Sequence, residues 1–211
     1  MAAKRIVMAI TGASGAPVGL RVLEQLAGGG AQVHLIVSRQ GRRMLMEECA
    51  LPDDDLERCL LKGRPSVTLH DDDDLAAAPS SGSFSTGGMI ICPCSSHTLG
   101  AVAAGLGDRL IPRAAHVTLK ERRPLILVHR EMPVSTIDLE NMLTLSRAGA
   151  TICPASPGFY MKPQSVQDLV DFVAGRVLDL IGVRHALNVR WAGTANTAAA
   201  GSPRGPGEPR P

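Results

Sequence analysis

Short apolar runs alternate with amphipathic stretches along most of this chain, and the alternation predicts where strands and helices fall. Arg5–Ile10 (RIVMAI) is the first apolar run, and it ends in Thr11-Gly12-Ala13-Ser14-Gly15. Pro17 to Leu26 then predicts a helix, with proline in its first turn and Gly28-Gly29-Gly30 closing it. Gln32–Val37 (QVHLIV) is a second run, stopped by Ser38 and followed by a helical Gln40–Cys49. The same rhythm returns with Met89–Cys92 before a helical Ser96–Ala104, and with Leu125–Val128 before Thr136–Ala148. It returns once more with Thr151–Cys153 before a long amphipathic helix from Ser165 to Ile181. Fully apolar strands separated by helices predict an α/β protein whose parallel sheet is covered on both faces.

A sheet of this kind places ligands outside the carboxyl ends of its strands. The segments there are TGASG, SRQG, PCSSHT, HRE and PASPGFY, four of them rich in Gly, Ser, Thr or Arg. That is the chemistry of phosphate and polar-ring recognition. Residues 50–88 are harder to read, with acidic runs at Asp53-Asp54-Asp55 and Asp71 to Asp74. Residues 1–192 are expected to form one domain. The last 19 residues, 193–211, hold four Gly and four Pro without apolar periodicity, which predicts a disordered tail.

Charge and composition narrow the partners. Lys plus Arg (22) nearly balance Asp plus Glu (20), and aromatics are only 2% of the chain, which argues against nucleic acid as a ligand. No apolar run approaches a membrane span, and the start of the chain does not read as a signal peptide. Five cysteines in irregular spacing, with Cys92-Pro93-Cys94 neither a zinc knuckle nor a redox CxxC, predict a reduced cytoplasmic protein.

Gly12-Ala13-Ser14-Gly15 after a first strand suits a phosphate: glycine allows close backbone approach, Ser14 offers a hydroxyl, and the helix start offers N–H groups. An ordinary tight turn would read the same way, and neither GxGxxG nor a Walker loop is present. Ser95, Ser96 and Thr98 place three hydroxyls around His97 at a helix start, more than capping alone requires. Arg130-Glu131 follows a strand directly, where the pair can hold a ring carbonyl and move a proton. The acidic runs do not complete a magnesium-binding DDxxD, and the six His form no HxxxH or HExxH pair. Pro154 to Pro163 is a stiff loop presenting Phe159 and Tyr160.

These pieces together resemble the flavin prenyltransferase (UbiX-type) family, once described as aromatic acid decarboxylases. The resemblance rests on GASG at 12–15, SGSF at 81–84, PCSSHTL at 93–99, the 113–131 segment with LKERRP and HRE, LENM at 139–142, and PASPGFYMKPQ onward from 154. It implies a flavodoxin-like, Rossmann-like three-layer α/β/α fold, a dodecamer with sites at subunit contacts, and a metal-free reaction. The implied reaction joins the dimethylallyl group of dimethylallyl monophosphate to N5 and C6 of reduced FMN, giving prenylated FMN for a UbiD-type decarboxylase. The resemblance further implies that Gly12, Ala13, Ser14, Ser38, Ser95, Ser96, His97 (through its backbone), Thr98 and Arg130 contact FMN. Tyr160, Arg176, Lys120 and Arg113 would bind the allylic phosphate. Glu131, Lys120, Tyr160 and Ser14 would act in catalysis, with Trp191 lining a neighbouring pocket. Two alternatives remain at this stage. One is an FMN-binding accessory subunit of an aromatic acid decarboxylase. The other is a phosphopantothenoylcysteine-type decarboxylase, whose PASANT-like motif reads PASPGFY here.

Overall fold

A computed structural model describes residues 4–187. Trp191 and the 193–211 tail lie outside the described residues. Six strands pair in parallel throughout: β1 (Arg5–Ile10), β2 (Gln32–Val37), β3 (Val67–His70), β4 (Met89–Cys94), β5 (Leu125–His129) and β6 (Thr151–Ile152). Their order in the sheet is β3-β2-β1-β4-β5-β6, the doubly wound arrangement. The helices are α1 (Ala16–Gly28), α2 (Arg39–Cys49), α3 (Leu56–Leu61), α4 (Ser96–Ala103), α5 (Leu110–Lys120), α6 (Thr136–Arg147) and α7 (Val166–Ile181).

Strand side chains alternate faces, and the two faces carry separate cores. Ile6, Met8, Ile10, Ile90, Cys92, Ile126 and Val128 pack with α1, α3 and α7 through Val22, Leu26, Leu56, Val173 and Val177. Val7, Ala9, Met89, Ile91, Leu125 and Leu127 pack on the other side with α4 and α5 through Leu99, Val102, Ile111 and Ala115. Because both faces are covered, the central strands are apolar except at Arg5 and His129 on their ends, and each is buried along almost its whole length. The result is the three-layer α/β/α sandwich.

Three elements lie where no apolar run announced them. β3 is only four residues, VTLH, and α3 lies in the acidic stretch. α5 begins without a side-chain cap of its own. Its first N–H groups are satisfied by Asp72 instead: Leu110 N–H donates to the Asp72 carbonyl at 2.8 Å and Ile111 N–H to its carboxylate at 2.9 Å. One of the acidic runs therefore serves a helix start from a distance in sequence. Asp55 stands at the N-cap position of α3.

Candidate active site

The strand order reverses between β1 and β4, and α1 and α4 begin beside that point, with α2 next to them after β2. Thr11, fully buried, ties the two turns together. Its hydroxyl donates to the Pro93 carbonyl at 2.8 Å and accepts from Ser95 N–H at 2.9 Å. The turn that follows is built close to α2: a Cβ on Gly12 would lie 2.3 Å from the Gln40 Cβ. Gly15 caps α1 with φ 118°, a left-handed conformation open to glycine, and uses no side chain to do so.

The free end of α1 is occupied by a carboxylate from the last turn of α2. Glu48 Oε2 accepts from both Gly15 N–H and Ala16 N–H at 2.8 Å, and the Ser14 hydroxyl donates to the same group. Arg130 Nε donates to the Ser14 carbonyl at 3.2 Å. Burial pushes the Glu48 carboxyl up, but the Ser14 hydroxyl, the two N–H groups and Arg130 outweigh it, so it titrates below the ordinary range. This donor set, two helix N–H groups, a hydroxyl and a guanidinium, already stabilises one anion.

Ser38 and Ser95 cap α2 and α4, accepting from Gly41 N–H at 3.0 Å and Thr98 N–H at 3.3 Å, and the Ser95 and Thr98 hydroxyls lie 3.1 Å apart. Ser96 Oγ lies 3.2 Å from His129 Nε2 and also hydrogen-bonds Asp138. Burial holds His129 below its usual range, while hydrogen bonds from Ser135 and then Ser96 keep the Asp138 carboxyl low. His97 is exposed beside them, and Glu131 lies on the rim of a groove of about 580 Å³ between α4 and α6, its Oε1 accepting Met132 N–H at 3.0 Å. Burial pushes the Cys94 thiol up to about 12 and Cys92 higher, so neither is a thiolate at neutral pH.

The remaining predicted residues lie on the β6–α7 loop, on α7 and on α5. Tyr160 meets Phe172 edge-on with ring centroids 5.8 Å apart, and Arg176 follows Phe172 by one helical turn on α7. Arg113 donates to the Ser80 carbonyl at 3.1 Å from near the start of α5. Lys120 ends α5, ahead of β5, and therefore stands at the amino edge of the sheet. There it pairs with Glu121 at 2.6 Å beside a loop that Arg123 holds through the Gly82 and Phe84 carbonyls. Within one protomer, then, the sheet gathers Gly12, Ala13, Ser14, Ser38, Ser95, Ser96, Thr98 and Arg130 at its carboxyl edge and leaves Lys120 at the opposite one. Glu48 and Thr11 belong to the first group by structure. Glu48 had no distinguishing mark in sequence, being one charge among several in RRMLMEEC.

The fold and the anion-receptive strand ends define a Rossmann-like flavoprotein class, and the Flavoprotein family model matches residues 1–178. The flavin prenyltransferase UbiX of Thermoplasma acidophilum is 49% identical over 189 residues, covering 89% of this chain and 99% of that protein. AnUbiX (PadA1), solved in complex with FMN and dimethylallyl pyrophosphate, superposes with TM-score 0.84 at 43% identity over 90% of this chain and 98% of that one. A dodecameric FMN-dependent UbiX-like decarboxylase from Escherichia coli O157:H7 gives 0.83 at 43%, covering 90% and 100%. The chain belongs to the flavin prenyltransferase family. A PPC decarboxylase is similar at 22% identity and TM-score 0.54 over 74% of this chain and 84% of that one, a likeness of fold alone.

Proposed function

We propose that this protein transfers the dimethylallyl group of dimethylallyl monophosphate to N5 and C6 of reduced FMN, and that the prenylated FMN passes to a UbiD-type decarboxylase. The observation that carries the reading is the Ser14–Glu48–Arg130 cluster at the start of α1, in a chain of this family. The residues fit FMN. Helix N–H groups and hydroxyls at the starts of α1, α2 and α4 suit a phosphate, and Arg130 at the end of β5 suits a ring carbonyl. Reduced flavin supplies the nucleophilic ring.

The protein's residues bind, orient and move protons. Ionising an allylic phosphate puts charge on the leaving group, and Lys120, Arg113 and Arg176 are the cations that stabilise it. Tyr160 supplies a ring face for the allylic fragment and a hydroxyl. Glu131 delivers or accepts a proton at the leaving phosphate, and Glu48 accepts one through the Ser14 hydroxyl that it already holds. No metal takes part in this reading, so a chelator is expected to leave turnover unchanged.

Lys120 stands at the wrong edge of its own sheet, so this reading places it over the flavin of a second copy. Large apolar side chains are exposed on and before α6: Met132 is 88% exposed and Ile137 70%, with Val134, Leu139 and Leu143 also exposed. That supports a homo-oligomer, with the dodecamer as the expected form. Among the described residues no helix is long and apolar enough to cross a membrane. The test is anaerobic incubation with FMN, a reductant and dimethylallyl monophosphate, read by mass spectrometry. A flavin heavier by one five-carbon unit is expected, and its absence overturns the reading.

A further inference from the structure

Arg176 is half exposed on α7, and an exposed arginine is ordinarily free to move among many rotamers. Here its NH1 donates to Asp179 Oδ2 at 3.1 Å, one turn further along the helix. Such a surface pair holds little by itself. Asp179, however, is held in turn. His185, whose side chain is only 3% exposed, places Nε2 3.2 Å from Asp179 Oδ1, while its Nδ1 accepts Leu187 N–H at 3.2 Å. With Nδ1 accepting, the ring proton sits on Nε2 and is donated to Asp179. The tautomer is fixed by the backbone of the segment that follows α7.

We infer that His185 and Asp179 are positioning residues that fix the Arg176 guanidinium for an allylic phosphate, so that docking of the 183–187 segment onto α7 sets phosphate affinity. The inference rests on the reading of Arg176 as a phosphate ligand. The order of donors is Leu187 N–H to His185, His185 Nε2–H to one oxygen of Asp179, and Arg176 to the other. A carboxylate anchored on a buried ring gives the guanidinium one preferred direction before ligand arrives, which lowers the entropy lost on binding. Phe172, against which Tyr160 packs edge-on, precedes Arg176 by one turn on the same helix.

The test titrates FMN-loaded protein with dimethylallyl monophosphate by calorimetry and follows FMN affinity separately by flavin fluorescence. His185→Leu is expected to weaken the allylic phosphate about 10-fold, raising KM for it more than it lowers kcat, with FMN affinity unchanged. His185→Gln, which can present an N–H in the same direction, recovers most of the loss. Added to Arg176→Ala, His185→Leu lowers affinity no further, because the two act as one unit. If His185→Leu does not fold, Asp179→Asn carries the same expectation. Unchanged phosphate affinity in His185→Leu, or an additive double variant, overturns the positioning role while leaving the parent reading intact. Wild-type phosphate affinity in Arg176→Ala removes the parent reading, and this inference with it.

Discussion

The two edges of the sheet handle charge in opposite ways. At the carboxyl edge, backbone N–H groups, Ser14 and Arg130 converge on a single carboxylate, Glu48, and Thr11 locks the two turns that carry them. At the amino edge the cations are spent locally: Lys120 on Glu121, Arg123 on the Gly82 and Phe84 carbonyls, and Arg5 over the Phe84 ring at 4.7 Å. One edge is arranged for a ligand inside the protomer. At the other, the one exposed ammonium among these cations is paired with Glu121. On the proposed reading, a site that needs both is completed between copies, and the apolar side chains exposed on and before α6 give copies a reason to associate.

Removing Lys120 should separate the two edges most sharply. Lys120→Met is expected to lower kcat for prenyl transfer by about 10²–10³, the scale for losing one donor that stabilises developing charge, with FMN affinity unchanged. Mixed oligomers refolded from Lys120→Met and Arg130→Ala chains should regain part of the activity that neither has alone. Absence of any regain places Lys120 and Arg130 on one protomer's site and breaks the comparison. At the carboxyl edge, Glu48→Gln keeps the shape of the cap and removes its charge. Single-turnover kinetics should show a loss of about 10²-fold, as for a missing general base, with FMN affinity little changed.

How far sequence reaches differs between the same regions. β1, β4 and β5 are apolar but for Arg5 and His129 at their ends, and β2 but for Gln32 and His34, because both faces of the sheet are covered, so their positions could be read directly. α6 and α7 were legible as helical stretches after apolar runs, and in the fold Ser135 with Asp138 and Ser165 with Asp168 close their starts as capping boxes. β3 and α5 were not. VTLH is too short and too polar for an alternation to emerge, and α5 takes its cap from Asp72, on the far side of β4 in sequence. The strand-end motifs announced the carboxyl edge, while the amino edge carries no such mark, so Lys120 was expected in the site without its placement being foreseen. Glu48 and His185 take their hydrogen bonds from partners that only the fold brings to them.

A smaller effect comes from the spacing of the first turn against α2. Gly12→Ala puts a methyl group where the Gln40 Cβ stands, and the two segments must part. Overpacking of this kind should lower stability by about 1–3 kcal/mol in denaturant titration. It should also weaken FMN, since the Ser14 end of the turn moves with it. Stability lost with FMN affinity retained would show that the turn adjusts independently of the site.

The smallest expected effect concerns pH and a histidine pair across β2 and β3. His34 Nδ1 and His70 Nε2 are 2.8 Å apart with their rings stacked, and Phe84 of the 82–86 loop meets His34 edge-on. Burial, then His70 and Arg5, lower His34 to about 4, and burial lowers His70 against the pull of Asp74. The unfolded chain takes up these protons near the ordinary value of 6.5, so between 6.5 and about 4 it binds more protons than the folded one. Stability is therefore complete above pH 6.5 and declines as pH falls through that window. Protonating both rings would set two N–H groups face to face across that hydrogen bond. Because the pair is only half buried, the decline should stay well under the limit of about 1.4 kcal/mol per pH unit for one proton. Melting temperature followed from pH 7 to 5 should fall less in His34→Gln than in wild type. Glu48, held below its ordinary range, loses its contribution only at more acid pH and leaves that interval alone. An equal fall in both proteins would assign the acid sensitivity to other groups, buried His129 first among them, and would move it to the carboxyl edge.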